Sequence, residues 1–227
     1  MKNNKKAFTL TELLVALGIV GAIAALSIPS LMNSINKRIY ATQLKSFVGS
    51  VQQLAVDQML QHKTKDLELT DFKSAAILQS STFDAAQVCS DTTTNTDCWK
   101  NTEYATIDDP STKETRVTYA SARLKNGMTV MYSYRPNTGT KINAGKPNED
   151  YSIGEILVDL NGDDAPNIYG RDFFSFYISK RGVILADPSV INPKNNNISI
   201  TNKAECTGGN YSYCFGLVMN NGWNMEY

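Results

Sequence analysis

The residue whose type and position most clearly indicate chemistry is Glu12, a carboxylate inside an apolar run over residues 8–28. A helix of that length spans about 31 Å, close to the hydrocarbon thickness of a bilayer. An acidic side chain costs about 2.5–3.5 kcal/mol at the bilayer centre, and less near an end of the span, so it is rarely kept without a function. Glu12 is therefore a functional candidate. The simpler alternative is a carboxylate that snorkels to the lipid headgroups.

A second group of candidates lies in the oxygen-rich segment 159–167. Asp159, Asn161, Asp163 and Asp164 surround Gly162, and calcium takes roughly six to eight oxygen ligands that a tight turn can bring together. The segment is not an EF-hand, because no Glu closes its loop. The sequence predicts either a calcium site with these four residues as ligands or a metal-free turn, since Asn, Asp and Gly are also common turn residues. No other cofactor is expected.

The cysteines form two close pairs in the sequence, Cys89 with Cys98 and Cys206 with Cys214. Neither pair has the C-x-x-C spacing of a zinc or redox site. Several connectivities are open to them, including four reduced thiols, but short loops close at the lowest entropic cost, which favours neighbour pairing. Two local disulfides would indicate an oxidising compartment outside the cytoplasm.

Neither catalysis nor nucleic acid binding is predicted. His62 is the only histidine, and no nucleophile elbow, phosphate-binding loop or H-E-x-x-H motif accompanies it. The 22 basic and 22 acidic residues balance, so the electrostatic footprint of a nucleic-acid-binding protein is missing.

The element that must position Glu12 is a single long helix. Lys2, Lys5 and Lys6 precede the apolar run, which places the N-terminus in the cytoplasm and the following chain outside. The helical pattern then continues beyond the run, with apolar residues three and four positions apart at Ile35, Ile39, Leu44, Phe47, Val48, Val51, Leu54, Ala55 and Met59. A secretory signal peptide cut after Ala25 is the alternative, but neither Glu12 nor the continuing pattern fits one.

The remainder predicts one α+β head without an internal linker. Asn126-Gly127 between two alternating runs predicts a tight hairpin. A turn and a short helix are expected over residues 63–78, and an exposed loop over residues 90–97. Strands are predicted over residues 117–124, 128–134, 153–160, 173–179 and 183–185. An antiparallel meander of about four strands would pack on the amphipathic half of the long helix.

The N-terminal segment resembles the prepilin cleavage and methylation motif of type IV pilins and type II secretion pseudopilins. The resemblance extends from Lys5 to about Ile35 and includes K-K-A-F-T-L-T-E-L-L at residues 5–14. Glu12 and Pro29 stand at the family's usual places, whereas Ala7 replaces the usual Gly before the cut.

The resemblance implies three segments: a cytoplasmic leader over residues 1–7, a transmembrane and assembly helix over residues 8–29, and an extracytoplasmic pilin-like head over residues 30–227. A prepilin peptidase would cut between Ala7 and Phe8 and methylate the new amine. Glu12 would pair with the Phe8 amine of a neighbouring subunit. Pro29 would kink or locally melt the helix, because it cannot donate a hydrogen bond to the Ala25 carbonyl.

The implied function is a structural subunit of a type IV pilus or a type II secretion-like pseudopilus. Its partners would be membrane lipid before assembly, then copies of itself and other pilins, together with the peptidase and an inner-membrane assembly platform. The subunit would wait in the cytoplasmic membrane with its head outside and then enter the filament. The rival interpretation is a membrane-anchored binding protein, such as a calcium-dependent adhesin, that never polymerises.

Overall fold

The computed structural model divides the chain into two compact units, Met1–Ile39 and Tyr40–Tyr227. The described residues are 9–90, 97–100, 103–109, 111, 113–115, 119–136, 150–186, 206 and 213–227. The leader and Phe8, which carry the predicted cleavage site, lie outside them, as do most residues of the loop predicted over 90–97.

Helix α1 covers Leu10–Gln61, as the sequence pattern predicts. Pro29 lies inside it, and the helix continues through the proline without a break. The local melting expected at Pro29 is therefore absent. The physical reason is that a proline removes only one main-chain donor, so the hydrogen bonds before and after it can keep the segment helical.

An antiparallel six-stranded sheet confirms the predicted α+β fold. Its order is β1-β4-β5-β6-β7-β8, and β2 and β3 form a separate two-stranded sheet. The strands are β1 (Ala85–Cys89), β2 (Glu103–Ala105), β3 (Lys113–Thr115), β4 (Ala120–Leu124), β5 (Thr129–Tyr134), β6 (Ser152–Asp159), β7 (Phe173–Ser179) and β8 (Ile184–Leu185). The predicted hairpin turn lies between β4 and β5, where Gly127 adopts a positive φ of 91°. A short helix α2 covers Cys214–Asn220.

Three features of the head differ from the sequence-based prediction. The sheet has six strands rather than about four, because β1 is a partly exposed Ala-rich segment without an alternating pattern. The β2–β3 pair was not predicted either, since strands of three residues are too short to show a period. Helix α2, at seven residues, is likewise too short for a clear period.

The short helix expected over residues 63–78 is replaced by a chain of 3-10 turns. Asp66, Thr70, Ser74 and Ser80 each accept a hydrogen bond from the backbone N–H two residues further on. Such caps compete with a continuous α-helix, because each one ends the preceding turn and begins a new short 3-10 helix. The four turns are Leu67–Leu69, Asp71–Lys73, Ala75–Gln79 and Ser81–Phe83.

The head core forms where one face of α1 meets the sheet. The buried residues of that face are Ala41, Leu44, Phe47, Val48, Val51, Leu54, Ala55 and Gln58. The Phe47 ring lies 6.2 Å from the ring of Phe176 on β7, in an edge-to-face arrangement. This contact packs the helix against β7, and such large aromatic groups contribute much of the buried apolar area of the core.

Two disulfides close local loops at the edges of this core. Cys89 at the end of β1 bonds to Cys98, and Cys206 bonds to Cys214 at the start of α2. The structure thus forms the neighbour pairing that loop entropy favours, and both Cys206 and Cys214 are buried. Most residues enclosed by the second disulfide lie outside the described residues.

Candidate functional site

The first turn of α1 holds Glu12 in a capping arrangement with Thr9. One carboxylate oxygen of Glu12 accepts hydrogen bonds from the Thr9 backbone N–H at 2.9 Å and from the Thr9 hydroxyl at 2.8 Å. The Glu12 backbone N–H lies 3.3 Å from the same hydroxyl. This pattern is a capping box, in which the first residue and the residue three positions later satisfy each other's polar groups.

Thr9 was not among the sequence-predicted site residues. The signal that identifies it is the T-x-x-E spacing directly before an apolar helix. Because Phe8 immediately precedes Thr9 in the sequence, cleavage before Phe8 leaves the Thr9 N–H an ordinary amide. The cap of Glu12 can therefore exist both before and after processing.

The rest of the N-terminal half of α1 is an exposed apolar surface. Among the described residues, α1 is the one helix long and apolar enough to cross a membrane, and none of its apolar 18-residue window is buried. The exposed large side chains are Leu10, Leu13, Leu14, Val15, Leu17, Ile19, Val20, Ile23, Leu26, Ile28, Leu31 and Met32. A soluble monomer rarely exposes an apolar patch of this extent, so the surface requires lipid or protein contacts.

Small residues make part of this surface shallow. Apart from the chain neighbours and the nearby backbone of the helix itself, no described atom lies within 4 Å of a Cβ placed on Gly18 or Gly21. The hydroxyl of Ser27 donates to the Ile23 carbonyl at 2.8 Å, so its polar group is satisfied within the helix. Small residues allow the backbones of neighbouring helices to approach closely. The segment can therefore contact another helix along its length.

The oxygen-rich segment lies between β6 and β7 and brings together a different set of residues from the one predicted. Asp159, at the end of β6, is fully buried and accepts a 2.6 Å hydrogen bond from the Tyr104 hydroxyl. Asp172, just before β7, is also fully buried, and one of its oxygens accepts from the Ile168 N–H at 2.9 Å. Asn161 lies two residues after Asp159, and its N–H donates to the Asp159 carboxyl group at 3.2 Å.

Burial and mutual repulsion shift the acidity of the two buried carboxyl groups. The pKa of Asp159 is raised to about 8: burial is the largest cause, the hydrogen bond from Tyr104 opposes the rise, and the nearby charge of Asp172 adds to it. Burial also raises the pKa of Asp172 to about 6, although Arg171 and backbone N–H groups favour its charged form. At neutral pH the raised pKa of Asp159 favours its protonated, uncharged form.

The other two predicted ligands are directed elsewhere. Asp163 forms ion pairs with Arg123 at 2.7 Å and with Lys100 at 3.2 Å. Asp164 is exposed, and its backbone carbonyl accepts a 2.7 Å hydrogen bond from the Asn161 amide. Within the described part of the chain, no three His, Cys, Asp or Glu side chains form a group that could hold a metal ion. The hypothesis of calcium bound by Asp159, Asn161, Asp163 and Asp164 stays a prediction.

His62, the only histidine, follows directly after α1 and is exposed. Its Nε2 atom lies 3.9 Å from a carboxylate oxygen of Asp71. At that distance the contact is at most a weak, solvent-screened ion pair.

The comparison with known proteins bears on the N-terminal segment alone. Residues 2–28 match the family model described as the prokaryotic N-terminal methylation motif. No curated protein and no solved structure gives a significant match to the chain. The matched residues include Ala7, Phe8 and Glu12, and the motif indicates a structural protein rather than an enzyme. This chain therefore carries the prepilin-type N-terminal signature of type IV pilins and pseudopilins.

Proposed function

We propose that this protein is a structural subunit of a type IV pilus or a type II secretion-like pseudopilus. A prepilin peptidase cuts it between Ala7 and Phe8 and methylates the new amine. The subunit then leaves the cytoplasmic membrane and polymerises through the N-terminal half of α1, with its head outside. The observation that carries the proposal is the methylation motif at residues 2–28, which coincides with the N-terminal half of α1, where the large apolar side chains are exposed.

The physical basis of assembly is the carboxylate of Glu12. In the isolated subunit its hydrogen-bonding capacity is partly used by Thr9, but Thr9 brings no positive charge. A methylated α-amine remains cationic, so the Phe8 amine of a neighbouring subunit can neutralise Glu12 in a medium of low dielectric constant. This pairing favours one register of the helix relative to its neighbour, because a displaced helix leaves a carboxylate without a cation.

Pro29 is proposed to serve the same assembly. Its nitrogen has no proton, so the Ala25 carbonyl lacks its usual helical donor. The helix is continuous in this structure. Because one hydrogen bond is missing, bending α1 at this turn costs less free energy than bending it elsewhere, and we expect the bend here when α1 leaves a bilayer and enters a filament.

The mass of the intact chain tests the proposal. The protein is expressed with a prepilin peptidase, extracted from membranes in detergent and measured by mass spectrometry. The proposal predicts a chain that begins at a methylated Phe8. An uncut chain, or one that begins after Ala25, would contradict it and support the non-polymerising anchored protein. An Ala7→Gly variant serves as the control, since it restores the small residue usual in the motif and should be cut at least as completely.

A further inference from the structure

A cleft opens on the head where the end of α1 meets the turn between β7 and β8. Its volume is about 620 Å³, and the described residues that line it are Met59, Lys65, Asp66, Lys180 and Arg181. Proteins use pockets of roughly 300–1,000 Å³ for small-molecule ligands. No residue of the methylation motif or of the oxygen-rich segment 159–167 is among those that line this cleft.

Backbone contacts hold the walls of the cleft in place. Gly182, in the β7–β8 turn, adopts a positive φ of 79°, and a Cβ built on it would lie only 3.2 Å from the Ala55 side chain of α1. The Leu67 N–H donates to the Lys180 carbonyl at 2.8 Å, which joins the first 3-10 turn to the β7–β8 turn. The backbone of Lys180 is therefore fixed before a ligand binds, and such preorganisation lowers the entropic cost of binding.

Positive charge predominates in the lining of the cleft. Lys65, Lys180 and Arg181 are its basic residues, and Asp66 is the one acidic residue among the described ones. Three positive charges against one negative charge leave a formal charge of +2. Lys65 is exposed and forms no ion pair with a described residue. A concave surface of one charge sign concentrates ligands of the opposite sign, so the cleft favours anions.

The surroundings of Lys180 point most directly to a ligand. Its side chain is only 19% exposed, although lysine is rarely buried unless it is paired. Its ammonium lies 3.7 Å from a carboxylate oxygen of Asp66, beyond hydrogen-bonding distance, and 4.9 Å from the ring centre of Tyr151. The other Asp66 oxygen accepts from the Glu68 N–H at 3.0 Å. Within the described part of the chain, the ammonium therefore has one loose ion pair and no hydrogen-bond acceptor.

Two other acidic residues near the cleft are engaged by the protein itself. Glu68 accepts hydrogen bonds from the phenols of Tyr134 and Tyr151. Asp150 is buried, and Arg181 is close enough to attract its carboxylate. Neither acidic residue lines the cleft. The two lysines of the lining are therefore the cations most available to a ligand.

The cleft also has an apolar side. Met59 belongs to its lining, and the unbranched, polarizable side chain of methionine adapts to irregular surfaces. Val56 lies three residues earlier on α1, and Val183 directly follows the β7–β8 turn; each is 50% exposed. Residues three apart on a helix are neighbours on its surface, so Val56 extends the apolar surface beside Met59. An anion that carries an apolar group fits this surface better than a bare inorganic ion.

We propose that the cleft binds an organic phosphate monoester, with the phosphate oxygens against Lys65, Lys180 and Arg181 and the apolar group against Met59. A phosphate monoester carries a charge of about −1.5 to −2 at pH 7 and has three strong acceptor oxygens. It therefore balances the excess positive charge of the lining and supplies the acceptors that the Lys180 ammonium lacks. This site lies in the head and does not depend on the proposed function in a filament.

The test uses the full chain in neutral detergent micelles, with the methionine ε-methyl groups labelled with ¹³C for NMR. Phenyl phosphate is the probe, and inorganic phosphate, benzoate and the uncharged phenyl glucoside are the comparisons. Phenyl phosphate should shift the Met59 resonance, assigned with a Met59→Leu variant, and leave that of Met225 in the core unchanged. Inorganic phosphate and benzoate should bind more weakly, and phenyl glucoside should not bind. No shift of Met59 at millimolar phenyl phosphate, or an equal response to phenyl glucoside, would overturn the proposal.

Two matched variants test the role of charge. Lys65→Gln should weaken the binding of phenyl phosphate by about tenfold, since a hydrogen bond between charged groups contributes roughly that factor. Lys73→Gln removes the charge of an exposed lysine outside the lining and should leave the affinity unchanged. Both side chains are exposed, so both variants should fold, and the methyl spectrum verifies it. Equal losses in the two variants, or full binding in Lys65→Gln, would overturn the proposal.

Discussion

The carboxyl groups of the two regions have opposite surroundings. Glu12 lies in the N-terminal half of α1, where the large apolar side chains are exposed, and its one described partner is Thr9, three residues away. Asp159 and Asp172 lie inside the head, where strands and distant residues surround them. The difference teaches where compensation must come from. A carboxylate on an unaccompanied helix needs another molecule for its partner, whereas a carboxyl group in a core can take hydrogen bonds from its own chain.

The largest effect is expected from a cavity in the head. Phe176→Ala removes a fully buried ring that contacts both Phe47 and Phe215, and it should lower the free energy of unfolding by about 3–5 kcal/mol. Chemical denaturation followed by circular dichroism measures the loss. If the two units are separate in their roles, cleavage before Phe8 should be unchanged in this variant. A parallel loss of cleavage would show that the processing segment depends on the head.

A somewhat smaller loss is expected when the second disulfide is removed. The double variant Cys206→Ser, Cys214→Ser should be less stable by about 2–3 kcal/mol, because an open loop gains entropy in the unfolded chain. Denaturation with and without a reductant measures this, and the variant should no longer respond to the reductant at this site. A variant as stable as the oxidised parent would mean that the bond does not form.

Tyr104→Phe tests how much the hydrogen bond from Tyr104 stabilises the buried Asp159. The change removes the 2.6 Å hydrogen bond to the buried Asp159 carboxyl group and should cost about 1–3 kcal/mol of stability, since it takes a donor away from a buried oxygen. A double-mutant cycle with Asp159→Asn isolates the pair. Additive effects of the two changes on the free energy of unfolding would show that Tyr104 does not stabilise Asp159.

The smallest effect is expected on the surface. Lys125 and Asp84 form a 2.6 Å ion pair, but both side chains are about two-thirds exposed. Water and salt screen such a pair, so Lys125→Ala should change the free energy of unfolding by less than about 1 kcal/mol. The same denaturation assay measures it, and a loss as large as that of Tyr104→Phe would erase the distinction between exposed and buried carboxylates.

Much of the fold could be predicted because its signals are local. The period of α1, the Asn126-Gly127 turn and the strand now seen as β7 are each visible within a short window. The 3-10 turns after α1 were not predicted, because they depend on side-chain caps at Thr70 and Ser74. Thr and Ser also occur inside longer helices, so their presence in the sequence does not show that they act as caps.

The candidate sites were predictable only in part. Glu12 was identified because a charge in an apolar run stands out, while the oxygen-rich loop was identified by composition alone. Composition could not show that Asp163 is neutralised by Arg123, which lies 40 residues earlier. Nor could it show that Asp172 is near enough to raise the pKa of Asp159, since that depends on how β6 and β7 pair.

The central claim concerns the charge of Glu12, and the capping box provides a sharp test of it. Glu12→Gln keeps an oxygen that can accept from Thr9, since Gln also serves in capping boxes, but it removes the negative charge. Thr9→Ala is the converse change: it weakens the cap and keeps the charge. Glu12→Leu removes both.

The decisive measurement is the amount of sheared, sedimented filament relative to mature subunit in the membrane, compared among these three variants and the parent. The account predicts that Glu12→Gln and Glu12→Leu both lose filaments by at least about tenfold, as expected if a charge pair worth at least about 1.4 kcal/mol is lost, whereas Thr9→Ala assembles close to normally. Normal filament abundance in Glu12→Gln would contradict the account, because the carboxylate would then serve only to cap its own helix.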